Sequence, residues 1–131
     1  MRGQSVIYMW GEEMDTEKGP LQEPKIVEKP WGREIWYAHT GSYAGKVLHV
    51  NAGHRLSLQM HRVKEETLYL LSGKVTLTYN DRTYEWECGQ AVHIPPETVH
   101  RFEALEDSVL LEVSTPFLED VVRLEDDYKR S

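Results

Sequence analysis

Four side chains set the chemistry that this sequence can do. In Leu56-Ser57-Leu58-Gln59-Met60-His61 apolar and polar residues alternate, so a strand there carries Ser57, Gln59 and His61 on one face and Leu56, Leu58 and Met60 on the other. Glu66 follows His61 after four intervening residues, on the far side of a turn, and His100 opens a later strand behind Pro95-Pro96-Glu97. Two imidazoles, a carboxylate and an amide oxygen make a nitrogen and oxygen donor set. Such a set suits one zinc, iron, manganese, cobalt or nickel ion rather than a sulfur-loving one. The plainer reading of the same residues is a hydrogen-bonded barrel interior without an ion, or a strand whose polar face meets water.

Spacing favours the metal. Gly53, five residues, Gln59, one residue, His61, four residues, Glu66, six residues and Gly73 form one motif. Gly89, five residues, Pro95, one residue, Glu97, two residues and His100 form a second. The pair resembles the two motifs of the cupin superfamily, with Gln59 where most cupins have their first His and Glu97 where they usually have Gly. A narrower likeness covers about residues 25–130. The stretches Glu28-Lys29-Pro30-Trp31-Gly32-Arg33-Glu34, Leu56 to Arg62, Ile94-Pro95 with His100-Arg101-Phe102-Glu103, Leu111-Glu112-Val113 and Asp120 to Tyr128 are similar to the C-terminal cupin domain of type II phosphomannose isomerases. In those proteins that domain is commonly fused to a mannose-1-phosphate guanylyltransferase.

This resemblance implies an all-β, cupin jelly-roll barrel (a double-stranded β-helix). It implies one divalent metal ion held at Gln59, His61, Glu66 and His100, zinc in the isomerases, and aldose–ketose isomerisation of a phosphorylated hexose. The chain departs from the pattern where the isomerases carry a denser run of histidines: Arg62-Val63-Lys64-Glu65 fills the gap between His61 and Glu66, and Thr67 stands where His is typical.

An isomerase of this kind needs a proton carrier and a phosphate anchor. Alternation in Leu111-Glu112-Val113 sets Glu112 opposite its neighbours and toward a cavity, where burial would raise its pKa toward neutrality; it is the candidate base. Arg101, beside His100, is the first candidate for phosphate contact, with Lys46, Arg62, Lys64 and Arg123 behind it. Trp31 is a candidate wall of the cavity mouth. The bland alternatives are a buried carboxylate satisfied by Arg101, an ion pair at a barrel mouth, solvated loop charges, and a tryptophan in the core.

The elements that must position these residues read as short β-branched and aromatic runs between turn signals: Ile35–His39, Lys46–Val50, Leu56–His61, Thr67–Leu71, Lys74–Tyr79, Thr83–Cys88, Ala91–Ile94, His100–Glu103 and Ser108–Val113. Asn80-Asp81 is the turn of a hairpin. Residues 124–130 fit a last strand, a short helix or a tail equally. Residues 1–24 read as an extended N-terminal arm whose Ile7, Tyr8 and Trp10 need a surface to cover them, on the domain or on a second subunit; residues 25–131 form the barrel. Exposed sheet edges and this arm predict a homodimer. Cys88 is expected to pack as a small buried side chain.

The 131 residues suffice for one such domain. A formal net charge of −7 argues against a nucleic-acid partner, and no apolar run is long enough to span a membrane. One cysteine and no visible leader predict a cytoplasmic protein with a sugar or sugar phosphate as ligand. Two rival functions share the residues. His61, Glu66 and His100 alone are a two-His, one-carboxylate set of the type that holds iron in non-haem dioxygenases. A non-catalytic cupin that binds a sugar or small acid accounts for the missing histidines.

Overall fold

A computed structural model of the chain describes residues 7–9, 12–14 and 19–130. Two short strands, β1 (Ile7–Met9) and β2 (Glu12–Met14), pair with each other antiparallel. The side chains of Ile7, Tyr8 and Trp10, and with them the expected packing of the arm, lie outside the described residues.

Eleven further strands follow: β3 (Lys25–Lys29), β4 (Gly32–His39), β5 (Ala44–Val50), β6 (Leu58–Met60), β7 (Glu66–Ser72), β8 (Val75–Tyr79), β9 (Arg82–Trp86), β10 (Ala91–Ile94), β11 (His100–Ala104), β12 (Ser108–Ser114) and β13 (Val122–Glu125). They form two antiparallel sheets, ordered β10-β7-β12-β5-β4-β3 and β13-β6-β11-β8-β9. No helix occurs among the described residues, so none is long and apolar enough to cross a membrane. The two sheets enclose one core, and the order is that of a jelly-roll, the double-stranded β-helix that the motifs imply.

Every strand read from the sequence is present, with ends shifted by a few residues. β3 was not singled out, because Lys25-Ile26-Val27-Glu28-Lys29 is short and flanked by charge; its pairing with β4 makes it a strand. The open segment 124–130 is a strand only at its start, where residues 124 and 125 end β13, with Val122 and Arg123 opposite Met60 and Gln59; residues 126–130 form a turn and irregular chain. The hairpin β8–β9 turns at Asn80-Asp81, and Asn80 takes φ 55°, a left-handed conformation that Asn tolerates better than most residues. Cys88 is exposed, contrary to expectation: it lies in the turn beyond β9, where its Sγ approaches the Leu71 carbonyl oxygen at 3.0 Å.

Register sorts the barrel interior into rows. Leu70, Leu110 and Leu48 stand side by side across β7, β12 and β5, and with Leu68, Phe102, Leu77 and Trp86 they make an apolar core. Burying each such side chain is worth about 1.5–3 kcal/mol. The adjacent row runs Leu68, Glu112, Lys46, Trp36, and the next brings Glu66 beside Ser114. One part of the interior is therefore greasy and another charged. Gly32 begins β4 where a Cβ would run into the His49 carbonyl, which fixes that residue as glycine.

Candidate metal centre

His61 ends the chain segment that runs out of β6, Glu66 begins β7, and His100 begins β11. The loop between His61 and Glu66 is held by Asp120. Its carboxylate accepts the backbone N–H groups of Arg62 (3.1 Å), Val63 (2.7 Å) and Lys64 (2.9 Å). These bonds keep the Asp120 carboxyl below its ordinary pKa. The turn before β11 is tied to the same place, because the Glu97 N–H donates to the His61 carbonyl at 2.6 Å. Glu97 takes φ 65°, which explains why cupins usually have Gly at this position.

The three ligand-type side chains are almost wholly buried and converge: one donor atom from each lies within 4.8 Å of the others. His61 Nε2 stands 3.1 Å, and His100 Nε2 3.3 Å, from the same Glu66 oxygen, Oε2. Each ring's other nitrogen is spent on a backbone carbonyl: His61 Nδ1 on Asp120 and His100 Nδ1 on Thr98 at 2.8 Å. A carbonyl only accepts, so each Nδ1 carries a proton, and in the neutral ring the Nε2 lone pair is left facing the carboxylate. His100 Nε2 has no hydrogen-bond partner although it is fully buried. Acceptors facing acceptors in a dry interior lack a positive centre. A tetrahedral site with metal–nitrogen and metal–oxygen bonds of about 2.0–2.1 Å sets its donors about 3.3 Å apart, close to the 3.1 and 3.3 Å between Glu66 Oε2 and the two imidazoles. The residues fit a divalent ion, and the carbonyls behind both imidazoles are the supports such ligands have elsewhere.

Gln59, the fourth expected ligand, is the cross-strand partner of His100 and shares its face, with Oε1 accepting from Ser57 Oγ at 3.0 Å.

Lys64 Nζ lies 3.4 Å from Glu66 Oε1 and 3.1 Å from Glu112 Oε2, all three side chains being buried. Burial opposes the Lys64 charge, but Glu112 and Glu66 outweigh it and hold the ammonium above its ordinary pKa. Burial pushes Glu66 up, yet His100, His61 and Lys64 overcome it and keep that carboxyl well below the usual range. Glu112 goes the other way: burial first, then the Glu66 charge, raise it, and Lys64 and Lys46 only partly compensate. Two carboxylates bridged by one lysine are thus pulled apart, one kept ionised and one inclined to carry a proton. Lys46, beside Glu112 in register, pairs with Glu34 at 3.2 Å and lies over the Trp36 ring.

The other candidates sit elsewhere. Arg101 follows His100 on β11 and so points to the opposite face; its Nε donates to the Leu56 carbonyl at 3.0 Å and its guanidinium also reaches the Glu125 carbonyl at 3.2 Å. Those bonds clamp β13 to the barrel. Arg62 is exposed on the loop, Arg123 lies on β13 opposite Gln59, and Trp31, 2% exposed, belongs to the core and also lines a small cavity beside Gln59. Asp120, Glu34 and the supporting carbonyl of Thr98 were not visible beforehand; Asp120 lies 59 residues from His61 with no motif to join them.

Residues 16–126 match the family model described as mannose-6-phosphate isomerase C-terminal. The chain belongs to that family. Among its relatives, the alginate biosynthesis protein AlgA of Pseudomonas aeruginosa is 35% identical over 111 residues, 80% of this chain and 23% of AlgA. The mannose-1-phosphate guanylyltransferase RfbM of Salmonella typhimurium is 27% identical over 115 residues, 84% of this chain and 24% of RfbM. The chain therefore spans about a quarter of the length of either relative. An RmlC-like cupin from Shewanella frigidimarina superposes with a TM-score of 0.66 at 14% identity, over 72% of this chain and 85% of that one, which shows the cupin fold.

One consequence of the Asp120 cradle is testable now. Asp120→Ala frees three backbone donors and the loop that carries His61 and Lys64, and we expect metal affinity to fall about 10–100-fold with the fold retained. Competition with a chromogenic chelator measures it; affinity equal to that of the unaltered protein would show that the loop holds itself.

Proposed function

We propose that this chain is a metal-dependent isomerase of a phosphorylated hexose, of the mannose 6-phosphate type. The observation that carries the reading is the buried His61–Glu66–His100 cluster, whose two Nε2 atoms converge on one carboxylate oxygen with Glu112 just beyond Lys64. Membership of the mannose-6-phosphate isomerase C-terminal family supports the substrate class.

Interconverting an aldose and a ketose moves one proton between adjacent carbons and one between their oxygens, with no net redox change. His61, Glu66 and His100, with Gln59 as a further oxygen donor, would hold a divalent cation that would supply Lewis-acid stabilisation of developing oxygen charge. Glu112 is the proton carrier: its raised pKa lets it hold the proton taken from one carbon and return it to the next. Lys64 keeps Glu66 ionised while the proton resides on Glu112, which separates the roles of ligand and base. The apolar row of Leu68, Leu70 and Leu110 limits water on the core side.

The test is conversion of fructose 6-phosphate to mannose 6-phosphate by the purified chain, abolished by a chelator and restored by zinc or manganese. No turnover of any hexose phosphate with any of several divalent ions would refute it. Bound iron with substrate-dependent oxygen uptake would establish a dioxygenase instead, and tight sugar binding without turnover a binding cupin.

A further inference from the structure

Beside Gln59 lies a small cavity of about 50 Å³ whose walls include Lys29, Glu34, Ser57, Gln59, Arg123 and Arg130. It is separate from the residues that form the metal cluster except through Gln59. The volume takes about four water-sized groups, enough for a phosphoryl head and too little for a sugar ring.

Its charge is unlike that of the molecule. The chain carries a formal −7, yet three cationic residues line this one cavity from three places: Lys29 at the end of β3, Arg123 on β13 and Arg130 beyond it. The wall's one carboxylate, Glu34, is already paired with Lys46 at 3.2 Å. The Asp126 carboxylate accepts from Arg130 at 2.9 and 3.1 Å and orients that guanidinium. The convergence is felt at Lys29: burial, and after it the like charges of Lys46, Arg130 and Arg123, lower its pKa against the opposing pull of Glu34. Cations gathered this closely in a small, partly enclosed space repel one another, and a dianion among them relieves that repulsion.

Position completes the argument. Arg123, Gln59 and His100 are successive register partners across β13, β6 and β11. Two strand spacings, about 10 Å, therefore separate Arg123 from the strand of the metal ligand. That is the scale of a six-carbon chain with its reacting carbons at one end and its phosphate at the other.

We propose that this cavity is an oxyanion site that takes a phosphoryl group, with Lys29, Arg123 and Arg130 as its cationic walls. That the phosphoryl group belongs to a sugar rests on the isomerase reading; the anion site does not. Of the basic residues named as phosphate candidates from the sequence, Arg123 alone lines it; Lys29 and Arg130 were given no such role.

The experiment is a calorimetric titration of the full chain with inorganic phosphate at constant ionic strength, after chelator treatment and desalting so that no metal holds the anion. The expected result is saturable binding of one phosphate per chain, weakened at least tenfold in Lys29→Gln, retained in Lys29→Arg, and unchanged in Arg82→Gln on the exposed β8–β9 hairpin. Thermal unfolding confirms that each variant folds; should Lys29→Gln not fold, Arg130→Gln replaces it. No saturable binding by the unaltered chain, or equal weakening by Arg82→Gln, overturns the proposal. Fructose 6-phosphate separates the two claims. Binding of phosphate and of the sugar phosphate without isomerisation upholds the anion site and removes the isomerase reading. Isomerisation with the same KM in Lys29→Gln and the unaltered protein does the reverse.

Discussion

Replacing Glu112 with glutamine will lower the isomerisation rate by about 10²–10⁴-fold, the usual contribution of a positioned general acid–base group. The substitution keeps the size of a side chain that is 4% exposed and packed between Lys64 and Lys46, so the barrel should stay intact. An amide cannot take the proton from carbon, whatever the pH. Metal content should not change, since Glu112 stands on the far side of Lys64 from the histidines. Two readings check it: kcat for fructose 6-phosphate, and solvent deuterium entering the sugar carbon. A Glu112→Gln variant with kcat within a few-fold of the unaltered protein, and unchanged deuterium exchange, would assign the proton transfer to another group.

Lys64→Met carries the largest effect on stability. The ammonium is the sole cation seen within 4 Å of both Glu66 and Glu112 among the described residues, and all three side chains are buried. Taking one partner from a buried pair leaves uncompensated charge and costs about 3–5 kcal/mol. Here it leaves two carboxylates, so Glu112 should take up a proton on folding and part of the loss will be recovered at low pH. A divalent cation held by His61, Glu66 and His100 would replace part of the missing positive charge. Saturating metal at 100 times its Kd adds about 2.7 kcal/mol to any folded state that binds it. Urea unfolding of both proteins should therefore show a deficit that is smaller at one fixed zinc concentration than without zinc, because the variant gains more from the metal than the unaltered protein does. A variant as stable as the unaltered protein without metal would mean that the carboxylates are not ionised together.

How far the sequence carried can be judged residue by residue. The alternation at Leu56 to His61 put Gln59 and His61 on one face, because strand periodicity is a local property, and the resemblance of the two spaced motifs to those of cupins implied that Glu66 and His100 would join them. The turn at Asn80-Asp81 was legible for the same reason. Arg101 was misleading as a neighbour of His100, since adjacency in a strand places two side chains on opposite faces. What could not be read is what the fold brings from afar. The Asp120 cradle, the Glu34–Lys46 pair and the meeting of Lys29 with Arg130 join segments up to a hundred residues apart, with no spacing rule to announce them. Lys64 looked like a loop charge; only the return of β12 beside β7 turns it inward as the bridge between Glu66 and Glu112.

The central claim, that His61, Glu66 and His100 form a metal centre, is tested most directly by elemental mass spectrometry. Tag-free protein is compared with the His61→Ala/His100→Ala double variant, both loaded with zinc or manganese and desalted. The account predicts about one metal ion per chain in the unaltered protein and less than a tenth of that in the variant. Equal metal in both proteins, or none in either after loading, would contradict it.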